Sequence, residues 1–64
     1  MGPIEALELA KSKEAQAISM YERFSQEYKA AKDIFLFLKG EEEKHKLLIE
    51  KKIFETPKVY WETK

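Results

Sequence analysis

Three residues of this 64-residue chain are of types that their neighbours do not lead one to expect. Leu7, Ala10, Glu14, Ala17, Tyr21, Phe24 and Tyr28 recur at alternating steps of three and four, the spacing of a helix seam, and Glu14 is the one carboxylate in that row. A second row, Ala31, Phe35, Leu38, Glu42, His45, Ile49 and Lys52, repeats the spacing and carries Glu42 and His45 at its middle. An unpaired carboxylate in such a seam is destabilising, so something must compensate it. Carboxylate oxygen and imidazole nitrogen are donors that divalent cations accept, and Glu42-x-x-His45 puts one of each on a single helical face. The chemistry offered by these types at this spacing is metal ligation.

Bringing the three together is a demand on the fold. Only two Gly and two Pro occur, and between Pro3 and Thr56 only Gly40 opposes a helix. Pro3 suits a first helical turn, Glu5 and Glu8 follow at the positive end of the helix dipole, and Thr56-Pro57 supplies a stop. Phase alone does not separate one helix of about 50 residues from two. Burial demand does: Ile34, Leu36, Phe37, Leu47, Leu48 and Ile53 widen the second half beyond a single stripe, so it needs neighbours on two sides. A turn over Gln26 to Ala30 provides one neighbour from the same chain, and a second copy provides the other. The expected fold class is all-α: an antiparallel helical hairpin over residues 1–55, followed by a C-terminal tail over 56–64, that dimerises into a four-helix bundle.

With the turn near Lys29, Glu14 lies 15 residues before it and Glu42 and His45 lie 13 and 16 after it, so equal rise per residue brings all three to one level. A Glu from one helix and a Glu-x-x-His from its partner make half of a carboxylate-bridged dinuclear site, and two chains supply both halves. The four carboxylates then balance two divalent cations, which removes the cost of burying them.

The combination of Glu14-x-x-Ala17-x-x-x-Tyr21, Ala31-Lys32-Asp33-Ile34-Phe35-Leu36-Phe37-Leu38 and Glu42-x-x-His45-x-x-Leu48 resembles the first helical pair of the rubrerythrin branch of the ferritin-like superfamily, over roughly residues 4 to 53. That resemblance implies a ferritin-like bundle holding two iron ions per dimer, with Mn, Co or Zn as substitutes. It implies Glu14 as a terminal ligand, Glu42 as a bridging carboxylate, His45 as the nitrogen ligand, and Tyr21 as a hydroxyl near the ligand carboxylates. The activity it implies is that of a di-iron oxidoreductase of ferroxidase or peroxidase type, oxidising ferrous iron or reducing hydrogen peroxide or dioxygen. Relatives carry two helical pairs per chain where this sequence has one, so either the other half is expected from a homodimer or higher oligomer or the sequence is a fragment. They also add a four-cysteine iron centre; this chain has no Cys, so electrons are expected from an external donor.

Composition narrows the alternatives. Twelve basic and twelve acidic residues leave zero formal net charge, which offers no footprint for nucleic acid. The longest apolar run, Ile34 to Leu38, is far short of a membrane span, and no secretory segment opens the chain, so a cytoplasmic protein is expected. Tyr60 and Trp61 in the tail suggest docking against another subunit. Gly40 reads equally as a close helix approach or bulge and as a tolerated glycine. The competing function is a helical interaction or structural module, derived from a rubrerythrin-like protein, that binds no metal or binds it adventitiously.

Overall fold

The computed structural model describes residues 1–56, so the expected docking of Tyr60 and Trp61 falls outside the described residues. The chain is all-helical there: α1 spans Pro3–Glu27, a short 3-10 turn spans Lys29–Ala31, and α2 spans Lys32–Glu55. The two long helices run antiparallel as one flat layer with principal extents of 51 × 17 × 9 Å. No helix among the described residues is long and apolar enough to cross a membrane.

Local chemistry accounts for each helix end. Pro3 occupies the first helical position, where its missing N–H is no loss, and the Glu5 carboxylate accepts the Gly2 N–H at 2.7 Å. Gly2 has no side chain to return the bond, so only half of a capping box forms. At the other end Thr56 is extended, as a residue before proline should be, and both its N–H and its hydroxyl bond to the Lys52 carbonyl, at 3.0 and 2.7 Å.

The chain reverses slightly later than the sequence suggests, because α1 continues through Glu27. Tyr28 leaves the helix with φ −116° and ψ 73°, its N–H still bonded to the Phe24 carbonyl at 2.8 Å, and the Ala31 N–H bonds to the Tyr28 carbonyl at 2.9 Å. Side-chain packing holds the reversal. Phe24 meets Tyr28 and Phe35 edge-on, at centroid distances of 5.6 and 5.3 Å, and Tyr21 stacks on Phe35 at 6.4 Å. Beside this cluster sits Ser25, the one fully buried residue among those described, its hydroxyl bonded to the Glu22 carbonyl at 2.7 Å.

Both predicted seams face the opposite helix, although not along their whole length. Leu7, Glu14, Ala17, Tyr21 and Phe24 of α1 and Phe35, Leu38, Glu42 and Ile49 of α2 are half-buried, whereas Ala10, Tyr28, His45 and Lys52 are exposed. No described apolar residue is fully buried, so the hairpin by itself has a seam without a core. Gly40 lies inside an unbroken helix with nothing within 4 Å of where a Cβ would sit, so it is neither a close approach nor a bulge.

Candidate metal centre

Two ion pairs cross between the helices and fix their register. Lys11 meets Glu50 at 3.5 Å toward the open end, and Lys39 bonds to Glu22 toward the turn. The Lys39 ammonium holds the Glu22 carboxyl below its ordinary value through this hydrogen bond, and Glu22 in return raises Lys39. Both pairs are centred on the same point of the sequence, between Ala30 and Ala31. Opposite charges mirrored about one point are a signal of register that the apolar pattern alone does not reveal.

Between these pairs the fold brings Glu14, Glu42 and His45 together. One ligand-type atom from each lies within 4.8 Å of the other two. His45 Nδ1 is 2.9 Å from a Glu42 oxygen and 3.2 Å from a Glu14 oxygen. The two carboxylates are largely shielded, with side chains 22 and 19 % exposed, while the imidazole is 55 % exposed. Ionised carboxylates only accept hydrogen bonds, so Nδ1 carries a proton and donates it. The His45 pKa is raised, chiefly by its hydrogen bond to Glu42; partial desolvation opposes this, and the charges of Glu42 and Glu14 add to it.

The arrangement also suits a cation. Donors bound about 2.1 Å from one ion lie roughly 3.0 to 3.4 Å apart in octahedral or tetrahedral geometry. The imidazole-to-carboxylate distances of 2.9 and 3.2 Å fall in or beside that range, so either carboxylate could share an ion with Nδ1. Two oxygens and one nitrogen suit iron, manganese, cobalt or zinc, and three residues leave coordination positions open. A proton and a metal ion therefore compete for the same nitrogen lone pair.

Tyr21 is placed differently from the three. Its ring stacks on Phe35 toward the turn, and its hydroxyl makes no hydrogen bond to Glu14 or Glu42 in the single chain. Among the described residues, the Glu14, Glu42 and His45 group is the one cluster of metal-ligating types that converges. Comparison with protein-family models, curated proteins and solved structures found no match to this chain.

Proposed function

We propose that this hairpin is half of a ferritin-like metal protein of rubrerythrin type, in which two chains hold a dinuclear centre, with iron as the metal. The observation that carries this reading is the convergence of Glu14, Glu42 and His45, two shielded carboxylates and an imidazole from different helices, in a seam that otherwise favours apolar residues. In such a centre Glu14 and Glu42 supply anionic oxygens and His45 supplies Nδ1. Two copies contribute four carboxylates that neutralise two divalent cations.

Iron held there would supply redox chemistry toward dioxygen or hydrogen peroxide, with ferrous iron oxidised or peroxide reduced and an external donor returning electrons. The chain's own contribution is positional. The cross-helix pairs Lys11–Glu50 and Glu22–Lys39 hold the register that brings Glu14 level with Glu42 and His45. The partly open imidazole must release its Nδ1 proton to solvent when a cation takes that lone pair.

Native mass spectrometry of the full chain purified in air tests this reading. The expected spectrum shows a dimer, or a multiple of it, with two metal ions per pair of chains, and Glu42→Ala loses those ions while helicity is kept. Unchanged metal content in that variant would sink the assignment. A second reading, a metal-free interaction module, is favoured by one observation: His45 Nδ1 is already hydrogen-bonded to Glu42, with a Glu14 oxygen 3.2 Å away. Under that reading the chain takes up no added ferrous ion.

A further inference from the structure

The two flat faces of the hairpin are chemically different. On one face Lys11–Glu50 and Glu22–Lys39 tie the helices together, and a shallow groove is lined by Ile18, Glu43, Lys46, Leu47 and Glu50. Helical spacing puts Ala6, Ala10, Ala17 and Phe24 of α1 and Ile34 and Leu48 of α2 along the opposite face. His45 opens onto that second face, where Ile34 and Leu48 are 51 and 65 % exposed. The site therefore opens on the side that carries Ile34 and Leu48, while Leu47, 66 % exposed, lies on the ion-paired side.

The position of the site along the hairpin matters as much as its side. Helix α1 is centred near residue 15 and α2 near residue 43, so Glu14, Glu42 and His45 lie at mid-length. When two hairpins pack through this face, a two-fold axis along the helices or across them brings the two triads to the same level. Helices of 24 and 25 residues are about 36 Å long, and a pair of them is about 20 Å wide, which gives roughly 700 Å² of face. A standard stable interface uses about 800 Å² per partner. The three alanines let backbones approach closely, and a chain with no fully buried apolar residue gains from the second layer the core it lacks.

The same geometry sets a condition on assembly. Docking opposes two pairs of carboxylates at the centre of the interface, and even two charged imidazoles would leave a net negative charge there. Two divalent cations cancel the four carboxylates. Resting on the metal-site reading above, we infer that a second copy of this chain docks on the face bearing Ala10, Ala17, Ile34 and Leu48, and that a divalent cation gates the docking.

Sedimentation equilibrium of the full chain, in chelator and in manganese chloride, tests the gate. Equilibrium dialysis against the same salt reports binding separately. The expected result is a monomer mass near 7.6 kDa in chelator and a two-fold rise with manganese. Leu48→Glu and Ile34→Glu should remain monomeric in both conditions with wild-type helicity by circular dichroism. Leu47→Glu, on the ion-paired face, should dimerise as wild type does. The double variant Glu14→Gln/Glu42→Gln should bind no manganese and be dimeric in both conditions, because the repulsion is gone. Manganese bound without a change in mass, or a wild-type dimer that persists in chelator, overturns the gate and leaves the metal site standing. Failure of wild type to bind manganese overturns the metal site itself. Loss of the dimer in Leu47→Glu but not in the two variants on the site face overturns the assigned face.

Discussion

The turn end of the hairpin and its middle hold the same two helices together by opposite means. Near the turn, Tyr21, Phe24, Tyr28 and Phe35 interlock through ring contacts between 5.3 and 6.4 Å. That contact needs no partner beyond the chain. At the middle, Glu14, Glu42 and His45 occupy seam positions with polar atoms, and their packing depends on what neutralises them. The contrast separates a stability region from a chemistry region only a few helical turns apart.

Truncation at the aromatic end and removal of the ion from the middle are the two largest ways to break this division. Phe35→Ala removes the ring at which Tyr21, Phe24 and Tyr28 meet, and for a half-buried site the cost should be about 2 kcal/mol. Thermal melts followed by circular dichroism should show the loss with or without metal. Chelation acts on the middle alone. If the centre is loaded at about 100 times its dissociation constant, removing the ion lowers stability by about 2.7 kcal/mol, whereas a mere interaction module shows no change in midpoint. That difference should vanish in Glu42→Ala while Phe35→Ala keeps it, in proportion to the ion still bound.

A smaller and opposite effect comes from Gly40. An alanine there meets nothing within 4 Å and removes the entropic penalty of glycine in a helix, so Gly40→Ala should raise stability by about 1 kcal/mol without changing metal content. The smallest effect is the pH response of His45. Its pKa in the folded chain is raised by Glu42 and then by Glu14, so in chelator its contribution is fully present below the ordinary histidine value near 6.5 and is lost as pH rises through the folded value. The melting midpoint of the metal-free protein should therefore fall over that interval, and that of His45→Gln should not. Metal affinity should run the other way, because the ion needs the unprotonated nitrogen.

Helical character is legible from spacing, the division into two antiparallel helices only from the burial demand of the second half, and, once a turn is placed, equal distances from it bring Glu14, Glu42 and His45 together. The connection was harder to read for a physical reason. No described residue has positive φ, so the reversal through Tyr28, Lys29, Ala30 and Ala31 demands no Gly or Asn and leaves no mark of that kind. Aromatic packing selects it instead. The exposure of His45 beside two shielded carboxylates also escapes a seam pattern, which assigns all three positions to the same row. Tyr21 shows the limit of carrying a role over by resemblance: being on the face of Glu14 does not determine whether its hydroxyl or its ring makes the principal contact.

The thinness of the molecule has a consequence for its motions. With Ser25 the one described residue fully shielded and a single layer 9 Å thick, the described residues include no interior strand or helix that can stay closed while its surroundings open. Backbone amide exchange should therefore vary as a gradient along the hairpin, slowest beside Ser25 and Phe35 and fastest toward Ile4 and Thr56. A cation clasped halfway along would shift the slow end of that gradient toward the middle, and a covering second layer would flatten it.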